Sequence, residues 1–182
     1  MTRPRHPAYD RPVRILPTLL LLLLVPATVR AAVAMPVTVE GMARESEAVI
    51  HGRVEKRESR LTPDGRHVYT LVTLRTDRVL RGQAPEQVVV RIPGGEVGEI
   101  GEHVDAAPLF EEGEEVVVFL APGRGGPRRV QGLALGKFRV EGEAARPNLR
   151  AIAVAPGPAP AGERRVEPMP LAELERRVRS QP

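Results

Sequence analysis

Residues 67–80 read HVYTLVTLRTDRVL, and this stretch decides the fold class. Side chains such as Val72 and Leu74 fall on one face of it, while Arg75 falls on the other. An alternation with a period of two over this length is typical of a β-strand and is hard to obtain from a helix. The turn residues that precede it at 62–65, TPDG, predict a hairpin that joins this strand to the one before it.

A second stretch, residues 115–120 (EVVVFL), is apolar at every position from Val116 on. Such a run predicts a strand that is covered on both faces and lies near the centre of the sheet. Gly132 and Gly136 predict bulges or bends in a further apolar stretch. The remaining predicted strands are 48–54, 88–92 and 130–140, with 149–154 as the candidate for a last short strand.

Two short helices flank these strands. Thr38 is placed to cap an amphipathic helix that runs to about Ala48, and apolar residues recur at helical spacing from Leu171 to Val178. Residues 155–182 are predicted to form a Pro- and Gly-rich linker followed by this second helix. Because a small barrel buries such strands without exposed edges, we predict for residues 35–154 a mainly β fold, a small OB-like antiparallel β-barrel of five or six strands.

Residues 1–34 have the layout of a secretory signal peptide: a basic stretch, an apolar run from Ile15 to Val25, and small residues after it. The apolar run is shorter than the roughly 20 residues that a transmembrane helix needs, so a retained anchor is the less favoured alternative. We expect cleavage after Ala34, with Ala31 and Ala32 as nearby alternatives. The predicted location is therefore secreted or periplasmic.

Charge and composition exclude several classes of function. Residues 1–34 hold five of the 27 Lys and Arg and one of the 23 Asp and Glu residues, so residues 35–182 carry 22 of each and no formal net charge. That balance gives no electrostatic basis for binding nucleic acid or an anionic membrane. The absence of cysteine excludes disulfides, Cys-ligated zinc and a thiol nucleophile. The scarcity of aromatic residues disfavours a stacking platform for single strands.

The sequence contains no HExxH, no Gly-x-Ser-x-Gly elbow and no phosphate-cradling loop. We therefore predict a protein that is not an enzyme and needs no cofactor. His103 and Asp105 are candidate ligands for a cation, although a zinc site requires three or four ligands. A calcium loop is disfavoured too, because the eight carboxylates from Glu96 to Glu115 are mostly Glu and lack the alternating ligand spacing, so a solvated loop is the preferred interpretation.

The same acidic segment is the predicted partner-binding site. Loops on a rigid barrel commonly carry recognition, and here an apolar pair that can anchor a contact lies among carboxylates that steer its approach. In the alternative interpretation, the apolar pair turns inward and plugs the end of the barrel. The predicted residues are Leu109, Phe110, Glu111, Glu112, Glu114 and Glu115.

One pattern extends from Val39 to Val140 and consists of six stretches in a fixed order: 47–54, 69–70, 78–82, 93–95, 113–120 and 132–138. In this order they resemble a group of uncharacterised bacterial exported proteins and, more distantly, the OB-type barrels of netrin modules and tissue inhibitors of metalloproteinases. The resemblance implies a barrel, but those inhibitors chelate the protease zinc through an N-terminal cysteine that this chain lacks.

These observations predict an exported, non-catalytic module that binds a protein or an envelope component through barrel loops. A second hypothesis, which rests on the distant resemblance, is an accessory or regulator of a secreted metalloprotease. A third is a hydrolase with unrecognised acidic residues, since paired carboxylates are recognised by their separation in space and not in sequence.

Overall fold

The computed structural model describes residues 37–123, 126–148 and 159–182. Within these ranges the protein is mainly β. The helices are α1 (Val39–Glu45) and α2 (Leu171–Arg179). The strands are β1 (Ala48–Leu61), β2 (Val68–Gly82), β3 (Gln87–Pro93), β4 (Gly95–Val97), β5 (Ile100–Glu102), β6 (Glu115–Ala121), β7 (Arg129–Val130), β8 (Lys137–Glu141), β9 (Ala144–Pro147) and β10 (Met169–Pro170). A 3₁₀ turn (Leu133–Gly136) lies between β7 and β8.

Eight strands form one sheet, and its ladders are antiparallel. The order is β10-β9-β8-β6-β1-β2-β3, with β7 also paired to β6, while β4 and β5 form a separate hairpin. The prediction of a mainly β, antiparallel fold is confirmed. The predicted count of five or six strands is too low, because β7, β9 and β10 have only two to four residues and are too short to show a period of two.

β1 and β2 form the long hairpin that the alternating pattern predicts. Their register pairs Leu61 with Val68 next to the predicted turn. The β1–β2 register shifts at three places, each with one residue left unpaired in one of the two strands; such irregularities bend a hairpin and increase its twist. At Gly52 the two strands approach so closely that a Cβ would lie 2.0 Å from the Arg75 carbonyl oxygen, so this position requires glycine.

β6 lies at the centre of the sheet, between β1 on one side and β7 and β8 on the other. Its side chains point alternately into two separate cores: Val116 and Val118 into one, Val117 and Phe119 into the other. The prediction of a central strand covered on both faces is confirmed. The first core lies among β1, β2, β3 and β6, and the second lies between the sheet and the two helices.

Among the described residues, no continuous ladder joins the two edges of the sheet, so the sheet is open. A single parallel bridge links Val90 of β3 to Arg128, just before β7. The Arg91 amide donates to the Arg128 carbonyl at 2.8 Å, and the Arg128 amide donates to the Val89 carbonyl at 3.0 Å. The barrel that we predict is therefore not closed: the sheet is open, and β3 meets the residue before β7 at one point. A longer ladder does not form because β7 ends at Val130, before a tight turn.

Both predicted helices are present. Thr38 caps α1 and accepts a hydrogen bond from the Gly41 amide at 3.0 Å, and the helix ends at Glu45 because Ser46 is extended. α2 buries Leu174 and Val178 in the same core as α1. The second helix is therefore docked on the sheet.

The segment that leads into α2 also packs against the sheet. Val166 and Met169 are buried in the helix-side core, and an isolated bridge joins Thr38 to Arg165. The predicted signal peptide at 1–34, the predicted strand at 149–154 and the first part of the predicted linker lie outside the described residues.

Candidate partner-binding site

The acidic segment 96–115 follows a sharp turn at the end of β3. Gly94 and Gly95 have φ angles of 86° and 136°, which other residues rarely adopt. A Cβ at Gly95 would also lie 2.4 Å from Thr70 Oγ1. The chain then forms the β4–β5 hairpin and a loop that enters β6. The segment is therefore a short hairpin plus a loop, with both of its ends attached to the main sheet.

The predicted partner-binding residues divide into buried and exposed groups. Leu109 is 65% exposed, whereas Phe110 is 3% exposed and lies in the core between β1, β2, β3 and β6. The apolar pair thus splits, with one side chain in solvent and one inside. Glu111 and Glu112 are exposed, and Glu114 is buried. Phe110 and Glu114 are therefore inaccessible to a partner, because both fill the interior of the fold.

Glu114 is buried because it pairs with Lys137 of β8. Lys137 Nζ lies 2.5 Å from Glu114 Oε1 and also donates to the Leu109 carbonyl at 2.6 Å. Burial lowers the pKa of Lys137, and the hydrogen bond that Lys137 donates to Glu114 opposes that shift. The other Glu114 oxygen accepts from the Glu111 amide. Together these bonds attach the loop to the sheet.

Glu115 belongs to a second charged cluster, centred on His51 of β1. His51 Nε2 lies 2.7 Å from Glu115 Oε1, and Nδ1 lies 2.7 Å from Arg78 Nη2. Nδ1 also lies 3.2 Å from Glu175 Oε1, so it faces both a guanidinium, which can only donate, and a carboxylate, which can only accept. Arg78 also pairs with Glu175 of α2 at 2.5 Å. The cluster joins β1, β2, β6 and α2.

The sequence does not predict the His51 cluster, because its members are far apart along the chain. The β1–β2 register places His51 opposite Arg78, and only the docking of α2 adds Glu175. One signal was available: Glu175 lies beside Leu174 on the buried side of α2, and a charge on such a face requires a partner. His51 is 5% exposed, so the cluster is a structural contact and not a site that a ligand can enter.

The candidate cation ligands remain on the surface. His103 Nε2 and Asp105 Oδ1 are 3.5 Å apart, and their side chains are 87% and 100% exposed. Within residues 37–123, 126–148 and 159–182, no group of three or more His, Cys, Asp or Glu side chains is placed to hold a metal ion. The pair therefore supplies two ligands, fewer than a zinc site needs.

The exposed part of the acidic segment lines a groove of about 730 Å³. We call it the acidic groove; its walls include Arg57, Glu96, Glu102, Leu109 and Glu112. Glu112 accepts from the Arg57 amide at 2.9 Å. Glu102 accepts from the Val68 amide, which is the main cause of its lowered pKa. These bonds hold two carboxylates at fixed positions next to the exposed Leu109.

Comparison of the chain with protein-family models, with curated proteins and with solved structures gives no match. In the part of the chain that the structure describes, no helix has the length and apolar character needed to cross a membrane.

Proposed function

We propose that the protein is an exported interaction module that binds a basic segment of a partner protein in the acidic groove. The observation that carries this proposal is Leu109, an apolar side chain 65% exposed in a groove that also contains three carboxylates. Desolvated apolar anchors supply much of the free energy of binding at interfaces, and charges of one sign steer the approach of the opposite sign.

The charge of the groove determines the chemistry of the partner. Among the described residues that line the groove, Glu96, Glu102 and Glu112 face one arginine, Arg57. The Arg57 backbone amide already binds Glu112, so the carboxylate positions do not depend on a bound partner. A segment with Lys or Arg residues beside an apolar side chain complements this surface, with the apolar side chain against Leu109.

An OB-like barrel is the fold we propose beneath this groove. Its support is the bridge between Val90 and Arg128. Since β7 pairs with β6 and β6 pairs with β1, this single bridge brings β1, β2, β3, β7 and β6 close to a ring that stays open between β3 and β7. A ring of strands supplies a rigid base for the loops that carry recognition.

A defined peptide tests the groove. We expect an eight-residue peptide of alternating Lys and Leu to bind with a submillimolar Kd and to shift the backbone amide NMR signals of residues 95–112. The Glu96→Gln/Glu112→Gln double variant and the Leu109→Ser variant should each weaken binding about tenfold, equivalent to about 1.4 kcal/mol. Binding should also weaken in 0.5 M salt, because salt screens exposed charges.

Glu143→Gln is the matched control, since Glu143 is exposed and lies outside the lining of the groove. It should bind the peptide like the parent. Phe110 and Glu114 are left unchanged in every variant, because both are buried. No binding of the peptide, or equal binding by the parent and the groove variants, would refute the proposal.

Export is a separate proposal, which rests on the composition of residues 1–34. N-terminal sequencing of protein recovered from the periplasm or the medium should give a chain that begins at Met35, after cleavage behind Ala34. A chain that begins before residue 30 would contradict the signal-peptide interpretation.

A further inference from the structure

A second cleft, of about 680 Å³, lies beside the acidic groove. We call it the basic cleft; Tyr69, Arg91, Arg129 and Leu133 contribute to its walls. Its volume is in the range of pockets that hold small molecules, about 300–1,000 Å³. Glu102 borders both clefts and pairs with His67 at 3.1 Å, so this pair separates them.

Two arginines give this cleft its charge. Arg91 and Arg129 are both exposed, and neither forms an ion pair with a carboxylate among the described residues. The neighbouring Arg128 differs, because it pairs with Glu47 at 2.8 Å. Arg129 donates from Nε to the Pro122 carbonyl, which leaves its two terminal amino groups available. Two exposed guanidiniums that lack a carboxylate partner among the described residues favour the binding of an anion in this cleft.

The position of Arg91 is held by an aromatic ring. Its guanidinium carbon lies 4.0 Å from the centroid of the Tyr69 ring, a cation–π contact. The register of β2 and β3 pairs Leu71 with Arg91 and Tyr69 with Pro93, so the two side chains emerge from neighbouring strands near the same end of the sheet. The charge is therefore placed before any ligand arrives, which reduces the ordering cost of binding.

The cleft also has an apolar wall. Leu133 is 48% exposed and has a φ angle of 54°, in the left-handed region that leucine rarely adopts. The 3₁₀ turn keeps it there, while its neighbours Ala134 and Leu135 are buried. Pro93, Pro108 and Pro127 line the same cleft. A ligand therefore meets apolar surface and positive charge together.

We propose that the basic cleft binds an organic carboxylate with an apolar or aromatic body. The carboxylate lies between Arg91 and Arg129, and the body packs on Leu133. Guanidinium groups match a carboxylate through paired N–H donors. The same chemistry is presented by a free arylalkanoic acid and by the C-terminus of a peptide that ends in an aromatic residue, and the experiment separates these two sources. The site uses none of the acidic-groove residues tested above.

Isothermal titration calorimetry on residues 35–182 tests the proposal with 3-phenylpropanoate, 3-phenylpropanamide, the peptide Ala-Ala-Phe with a free C-terminus, and its C-terminal amide. We expect one or both acids to bind and both amides to bind at least tenfold more weakly. If both acids bind equally, the carboxylate and its aromatic body are sufficient for recognition and the peptide backbone adds nothing. If only the peptide acid binds, the ligand is a chain terminus.

The variants Arg91→Gln and Arg129→Gln should each weaken binding of the acid at least tenfold, and Arg129→Lys should recover part of it. Arg146→Gln is the matched control, because Arg146 is exposed, pairs with Glu141 and lies outside the cleft. Unchanged melting temperatures show that the variants are folded, and Arg129→Gln decides the matter if Arg91→Gln is destabilised.

The two proposed sites fail independently. The Glu96→Gln/Glu112→Gln variant should keep its affinity for the acids, and Arg129→Gln should keep its affinity for the Lys-Leu peptide. Absence of heat with both acids, equal binding of acids and amides, or equal binding by the parent and both arginine variants would overturn the proposal for the basic cleft, whatever the result for the acidic groove.

Discussion

Glu114 and Lys137 form an ion pair with almost no access to water. Transferring two charges out of water costs free energy, and this cost is offset only when each charge keeps a complete set of hydrogen bonds. Lys137 donates to Glu114 and to the Leu109 carbonyl, while Glu114 also accepts from the Glu111 amide. Arg139 Nε also lies 3.6 Å from Glu114, so Lys137 depends on the pair more than Glu114 does, and loss of Glu114 leaves a buried ammonium without its counter-charge.

We expect Glu114→Gln to lower the free energy of unfolding by about 3 kcal/mol, because it leaves a buried ammonium without its counter-charge. Glutamine keeps the shape and one oxygen acceptor, so the change isolates the charge. Urea denaturation measures the effect, with Glu112→Gln as the exposed control, expected within about 0.5 kcal/mol of the parent. The double variant Glu114→Leu/Lys137→Met should recover much of the loss. Equal midpoints for the two Gln variants would show that the buried charge contributes nothing.

β6 and α2 determine the layers of the fold. Because β6 sends alternate side chains into two cores, neither of its faces tolerates a charge. α2 covers the second core with Leu174 and Val178 and adds Glu175 to the His51 cluster. One face of the sheet is thus covered by side chains of its own strands β1, β2 and β3, and the other face is covered by the two helices.

We expect Val118→Asp and Phe119→Asp to prevent folding, since each would place an unpaired charge in a different dry core. The cost is several kcal/mol, comparable with the whole stability of a domain, about 5–15 kcal/mol. Val79→Asp is the control: Val79 is also a strand residue, but it is 41% exposed. Far-UV circular dichroism and thermal melting measure the outcome. Cooperative melting of both core variants at the parent's temperature would contradict the double-core arrangement.

The sequence predicts an element where its pattern is long enough to repeat. The alternation at 67–80 and the apolar run at 115–120 identify β2 and β6, and the Thr38 cap identifies α1. Two-residue strands such as Arg129–Val130 have no period, so pairing with a neighbour creates them. The open edge follows from the same fact, since a barrel closes only when its last strand is long enough to form a ladder.

The sequence also reveals one of the two candidate sites and hides the other. Composition locates the acidic segment, because a run of carboxylates is visible in the sequence. It does not reveal that Phe110 turns inward while Leu109 stays in solvent, since that depends on the path of the loop across the sheet. The basic cleft is hidden for another reason: Arg91 and Arg129 meet only through the bridge beside Val90, which joins segments with no local signal.

At the scale of the whole molecule, the C-terminal segment is part of the core and not an appendage to a barrel that ends near residue 154. Val166, Leu174 and Val178 share one cluster with Phe119 and Phe138. The segment is also attached by polar contacts: Glu163 accepts from the Thr38 hydroxyl, and this bond is the main cause of its lowered pKa.

We therefore expect a chain of residues 35–154 to be unfolded, because removal of the segment exposes one face of the central strand and leaves the His51 cluster without Glu175. Leu174→Ala in a chain of residues 35–182 should cost about 2–5 kcal/mol, the range for a buried leucine, and should leave a folded protein of lower stability. Amide NMR dispersion shows whether each chain is folded, and urea denaturation measures the cost of Leu174→Ala. Well-dispersed signals from residues 35–154 would show instead that the sheet is stable without the helix, and Leu174→Ala would then cost less than this range.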